Sequence, residues 1–299
     1  MKPGEVCKVR NDAVSREGKS YALAVFKRSN KKTARVAVLD ADLFEIGEYL
    51  VAYDALWKLK ASARRTCERR MGRKKSVVSV ARCNETRDGL ACVADITLSP
   101  STTLTFVEGG VTDCTTGAIV NAANQGCLGG GGVDGEINRR GGPALWDARK
   151  ALPEIYEGVR CRTGDAKMTV SGDLPCDYVI HAVGPDFSWV ERGQGFQWLE
   201  KAYEASLSCA ATKGVRTVAF CILSGGIFRG REPLADIIEH GICAIAKHAT
   251  RDIHRVYFCG FTIEERAALE AVLSKIERAV AQGTWKPAET VTANTVSLS

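Results

Sequence analysis

The stretch "NAANQGCLGGGGVDG" (121–135) gathers the residues best equipped for chemistry. Asn121 and Asn124 carry amides that both donate and accept, and Asp134 carries a carboxylate. Between them Gly129, Gly130, Gly131 and Gly132 give up four side chains in a row, and Gly135 gives up another. Glycine loses the most backbone entropy on folding, so such a run signals a backbone lying against something bulky, commonly a phosphate. "SGGIFRGRE" (224–232) and "EGGVT" (108–112) are two further loops of unusual composition at the ends of apolar strings. Glycine loops that leave strands and open helices turn N–H groups and a helix dipole toward an anion. The chemistry this suits is capture of a nucleotide diphosphate. By position alone, Asp134 also suits a cap on a helix beginning near Gly135.

Better-known phosphate motifs do not fit. Gly130, Gly132 and Gly135 satisfy G-x-G-x-x-G, but "NQGCL" separates them from the preceding strand, and Glu154 and Glu157 lie in "LPEIYEG", which is no strand end. No G-x-x-x-x-G-K-[ST] occurs. Twelve cysteines form no C-x-x-C pair and four histidines no H-x-x-x-H pair, which leaves a metal site without support. Most cysteines, such as Cys221 in "VAFCIL", sit in apolar strings and read as buried thiols. His181 in "YVIHAVG" reads as a satisfied core histidine.

The elements that must position these loops read as strands alternating with helices from residue 77 onward. "SVVSVARC" and "LACVADITL" flank "NETRDG" as a hairpin, and "TLTFVEGG" and "TGAIVNAA" follow as strands. A helix over about 135–151 precedes the strand "YVIHAVG" and the helix "FQWLEKAYEASLSCAATKG". "TVAFCILS", "PLADIIEHGICAIAKHA", "RVYFCGF" and "IEERAALEAVLSKIERAV" then read as strand, helix, strand and helix. This alternation implies an α/β sandwich around a largely parallel sheet, with ligands outside the carboxyl ends of the strands.

Residues 1–60 read differently, as short strands parted by polar turns, and suggest a small all-β barrel of SH3-like or Tudor-like kind. Tyr21, Phe26, Tyr49, Tyr53 and Trp57 would fill its core or form a cage for a methylated lysine. The net charge of +6 is uneven: residues 1–100 hold 21 Lys/Arg against 12 Asp/Glu, and the remainder 20 against 23. Much of the excess lies in "KLKASARRTCERRMGRKK" (58–75), either a solvated linker or helix or a contact for nucleic acid or an acidic protein. The division expected is 1–60, a basic linker over 61–76, an α/β domain over 77–285 and a polar tail over 286–299. No apolar run approaches the roughly 18 residues that span a bilayer, and "MKPGEVCKVR" lacks a secretory apolar core. An intracellular protein, cytoplasmic or nuclear, without a membrane partner is expected.

Taken in order, "AIVNAANQGCLGGGGVDGEI", "TGDAKMTVSGDLPCDYVIHAVGP" and "AFCILSGGIFRG" resemble the macrodomain family, most of all its MacroD-type branch. The resemblance covers roughly 103–277. It implies a three-layer α/β/α sandwich that binds ADP-ribose and needs no cofactor or metal. In that branch it also implies removal of mono-ADP-ribose from acidic side chains of proteins, or deacetylation of O-acetyl-ADP-ribose. Asn124 matches the asparagine that bonds the distal ribose. Asp134 matches the aspartate beside the scissile 1″ ester, activating a water or orienting one activated by the substrate's own phosphate. By the same resemblance Val111, Asn121, Gly131, Gly132 and Val133 line the ligand. Ser224, Gly225, Gly226, Ile227 and Phe228 form the diphosphate loop, and Phe261 stacks on adenine.

The chain departs from the family at three places. Gly110 stands where the family has the aspartate that accepts from the adenine amine, and Asn138 where it has a histidine. "IFRGREP" is longer than usual, which sets Arg229 and Arg231 beside the phosphate loop, as clamps or as solvent-facing charges. An ADP-ribose reader with weak catalysis and an N-terminal interaction module is the second reading, and hydrolysis of ADP-ribose 1″-phosphate a third.

Overall fold

The computed structural model describes residues 78–250 and 252–285 in full and, before them, the backbone of five strands. The chain divides into two compact units, 1–76 and 77–299. In the first, β1 (Val6–Arg10), β2 (Tyr21–Ser29), β3 (Thr33–Leu39), β4 (Glu45–Ala52) and β5 (Leu56–Lys58) pair antiparallel in the order β4-β3-β2-β1-β5. Their side chains, and hence the Tudor-like cage, lie outside the described residues, as do the basic stretch beyond Lys58 and the tail after Trp285.

The second unit is built on an eight-stranded mixed sheet, in the order β10-β11-β9-β12-β13-β8-β7-β6. β6 (Ser79–Arg87) and β7 (Leu90–Thr97) form the expected hairpin, with the turn confined to Asp88 and Gly89. β8 (Thr103–Glu108), β9 (Ala118–Ala122), β12 (Thr217–Phe220) and β13 (Arg255–Gly260) run parallel with β11 (Tyr178–Ala182) through the middle of the sheet. Almost every residue of β8, β9, β12 and β13 is buried, the pattern of strands covered on both faces. β10 (Ala166–Val170), which the sequence reading passed over, pairs antiparallel with β11 at one edge.

Successive side chains alternate between the sheet's faces. Val120, Phe220, Phe258 and Phe106 are register partners across β9, β12, β13 and β8, so they form one row on one face. Tyr203 of α2 (Arg192–Thr212) lies on that row, 5.2 Å from Phe220 and 6.3 Å from Phe258 between ring centroids. Each such aromatic pair contributes about 0.5–1.5 kcal/mol beyond its buried area. α3 (Leu234–His248) packs on α2, and α4 (Ile263–Ala281) on α3. Asn121 of β9 and its register partner His181 of β11 face the other way and are covered by α1 (Gly132–Lys150). The result is α/β/α layering.

α1 begins earlier than the sequence pattern indicated, with Gly131 as its N-cap, which places Asp134 inside the first turn rather than at the cap. It also breaks at Gly142 (φ 66°, ψ −164°), immediately before Pro143, which cannot continue the backbone ladder.

Candidate functional site

Because β8, β9, β11, β12 and β13 are parallel, their carboxyl ends open at the same edge of the sheet, and every glycine loop of interest leaves from that edge. The loop after β9 is organised by Asn124. Its Oδ1 accepts from the N–H groups of Gly126 (3.1 Å) and Cys127 (3.2 Å), and its Nδ2 donates to the carbonyl of Gly129 at 2.9 Å. One amide thus ties the chain on both sides of the turn, and its second N–H stays available. Gly129 and Gly132 have φ of 116° and 58°, where a Cβ is strained, so glycine is the residue this turn requires. A Cβ at Gly131 or Gly132 would meet nothing within 4 Å, which leaves open space along that backbone.

Asp134 and Asn124 both approach Gly130 in this turn. A Cβ at Gly130 would stand 3.2 Å from Asp134 Oδ2 and 3.6 Å from Asn124 Nδ2. Asp134 is almost fully buried. Its Oδ1 accepts from Asn121 Nδ2 at 2.7 Å and contacts a guanidinium nitrogen of Arg149 at 2.7 Å, whereas Oδ2 is buried and unpartnered. Asn121 is itself wholly buried and meets His181 Nδ1 at 3.2 Å, and His181 Nε2 lies 2.9 Å from Thr169 Oγ1. Burial, reinforced by the Arg149 cation, pushes the His181 pKa down to about 3, so the ring is neutral and serves the network as a satisfied core histidine.

The loop after β12 closes the other side. Ser224 is buried with φ 54°, and its hydroxyl donates to the carbonyl of Pro185 at 2.7 Å. Gly225 and Gly226 follow, then a single 3-10 turn over Ile227–Arg229 that leaves Ile227 exposed and Phe228 half-buried. The Phe228 carbonyl accepts from the N–H of Phe187 at 2.8 Å. Arg229 pairs with Glu264 at 3.0 Å, which ties it to the start of α4, while Arg231 is exposed.

The third side is built by α4 and the loop after β8. Thr262 and Glu265 form a capping box, and Glu265 Oε2 also accepts from the N–H of Phe261 at 2.8 Å. The cap fixes the backbone at Phe261, a residue that stands 65% exposed. Gly110 lies beneath it: a Cβ there would be 3.4 Å from Phe261 Cδ2. The neighbouring Val111 is buried, and Thr112 accepts from Arg140 at 2.9 Å. The fold therefore brings to one edge the three loops singled out by composition, together with Phe261 at the end of β13. Among the described residues no group of three or more His, Cys, Asp and Glu side chains could hold a metal ion, and no disulfide joins the described cysteines.

A family model, that of the Macro domain, matches residues 120–236. A macro domain-containing protein of Streptomyces coelicolor is 41% identical over 167 residues, which span 56% of this chain and 98% of that protein. The chain belongs to the macro domain family. The ADP-ribose glycohydrolase MACROD2 of Xenopus laevis is 40% identical over 163 residues, 53% of this chain but 37% of that relative. A solved structure, the Oceanobacillus iheyensis macrodomain with ADP, superimposes with a TM-score of 0.55 at 25% identity, over 68% of this chain and 99% of that one.

Within this macro domain the sequence reading passed over Arg149. It is completely buried, and besides Asp134 it reaches the Cys127 carbonyl and, at 3.5 Å, Asn138 Oδ1. In "WDARK" an arginine near a helix end looks like any solvated charge. A straight helix would also set it about 22 Å from Asp134. The break at Gly142 is what folds the two back together.

Proposed function

We propose that this macro domain binds ADP-ribose and hydrolyses mono-ADP-ribose from acidic side chains of proteins, with O-acetyl-ADP-ribose as a second ester substrate. The observation that carries this reading is that Asn124 and Asp134 both converge on Gly130, with Asp134 Oδ2 unpartnered. A buried carboxylate oxygen without a donor is costly unless it serves something that binds there. Here that partner is a water set against the 1″ carbon. Asn124 directs its remaining N–H to the distal ribose, and the glycine loops of 129–132 and 224–226 hold the diphosphate through backbone N–H groups. Phe261 packs on the adenine. Cleavage breaks the bond between the 1″ carbon and the acceptor oxygen, the acceptor leaves as a carboxylate, and the water supplies the new hydroxyl while its proton passes to Asp134. The glycohydrolase name of the Xenopus relative supports the reaction class.

The second reading, a reader without appreciable catalysis, draws on Gly110 and Asn138, where the chain departs from its family. We take residues 1–60 as a docking module of SH3-like or Tudor-like kind under either reading, joined by the basic segment. Purified protein and a peptide carrying mono-ADP-ribose on a glutamate decide between the two. Release of ADP-ribose supports the hydrolase, and tight binding without release supports the reader.

A further inference from the structure

We propose that Arg149 is the positioning residue of the hydrolytic centre, holding Asp134 from behind so that only Oδ2 is presented to the attacking water. The proposal rests on the hydrolase reading of Asp134. Its basis is the division of labour between the two carboxylate oxygens. Oδ1 is held twice, by Asn121 Nδ2 and by Arg149, each at 2.7 Å. Oδ2 has no partner and stands on the side of Gly130, toward the glycine loop.

Arg149 does this from a fixed place. Its Nε donates to the carbonyl of Cys127, inside the loop that Asn124 organises, and a terminal nitrogen reaches Asn138. A planar guanidinium has donors in several fixed directions at once, so one side chain locks the β9–α1 loop and the carboxylate into a single geometry. An ammonium is a point charge and cannot reproduce that fork. Arg149 touches neither reacting atom in this scheme; it acts through Asp134 and the loop.

Single-turnover release of ADP-ribose from a glutamate-linked peptide, measured beside the ADP-ribose Kd and the Tm, tests this with Arg149→Met and Arg149→Lys. Arg149→Lys keeps a cation next to Asp134 and so preserves the fold even where Arg149→Met does not. It is expected to lose about 10²-fold in rate, the scale of a misplacement of about 1 Å, and far less in ADP-ribose affinity, which only part of that loop supports. Arg149→Met, where folded, is expected to lose at least as much. A wild-type rate in Arg149→Lys overturns the proposal alone, and so does a loss of rate matched by an equal loss of affinity, which would mark a purely structural role. Wild-type protein that binds ADP-ribose but releases none overturns the hydrolase reading, and the proposal with it.

Discussion

Gly110 offers a direct way to rebuild a missing contact. Its backbone, φ −91° and ψ 143°, suits any L-residue, and it is the N-cap of the 3-10 turn over Val111–Asp113 without a side-chain cap. A Cβ there would lie 3.4 and 3.6 Å from two Phe261 ring carbons and 3.6 Å from Thr112 Oγ1, all ordinary contacts. Gly110→Asp should therefore fold, with its carboxylate beside the ring proposed to cover adenine. A hydrogen bond to a charged acceptor contributes about 1.5–3 kcal/mol. Since about 1.4 kcal/mol is tenfold in affinity, ADP-ribose should bind roughly ten- to a hundredfold more tightly. An inosine analogue, which lacks the exocyclic amine, should gain little. Calorimetry on both ligands checks this. Equal gains for the two, or none for either, would refute the placement of adenine between Gly110 and Phe261.

Asp134→Ala should strip the wholly buried Arg149 of its counter-charge, at a cost of about 3–5 kcal/mol, and lower the Tm by roughly 10 °C; an unchanged Tm would deny the ion pair. His181 takes up a proton near 6.5 when unfolded but only near 3 when folded. Its contribution is therefore complete above pH 6.5 and declines as the pH falls toward 3. Between about pH 6 and 4, unfolding free energy should fall less steeply in His181→Gln than in wild type, by about 1.4 kcal/mol per pH unit, and equal slopes would show that His181 is not held neutral. A Cβ at Gly135 would come within 2.8 Å of the Gly130 carbonyl, whereas one at Gly131 meets nothing within 4 Å. Gly135→Ala should accordingly lower the Tm by pushing on backbone, while Gly131→Ala should spare the Tm and weaken only ADP-ribose binding. Thermal melts and titrations on the pair separate the two effects.

The central strands were legible because burial on both faces makes them continuous apolar runs, as in "AIVNA" and "VYFCG". The glycine loops were legible because so many absent side chains need a reason. β10 was not: "AKMTV" is a short edge strand with two half-buried positions and an exposed end, a pattern shared with loops. The start of α1 is hidden because glycines 131 and 132 look like loop, although the helix opens at Gly132. Arg149 was invisible for a deeper reason. Its partner stands fifteen residues earlier in the same helix, and only the break at Gly142 brings them together. Periodicity reports which face a residue takes, and says nothing about a helix that turns back on itself. Likewise nothing in the sequence marks Asn121 as wholly buried, with its Nδ2 against Asp134 and His181 while its Oδ1 has no partner.

Asp134→Asn is the variant that probes the hydrolytic centre most directly, because an amide keeps the shape of the carboxylate while losing its charge and half its acceptor capacity. Release of ADP-ribose from a glutamate-linked peptide should fall about 10²–10⁴-fold, the range for loss of a positioned general base, while the ADP-ribose Kd stays near that of wild type. Undiminished release by Asp134→Asn would contradict the assignment of hydrolysis to this carboxylate.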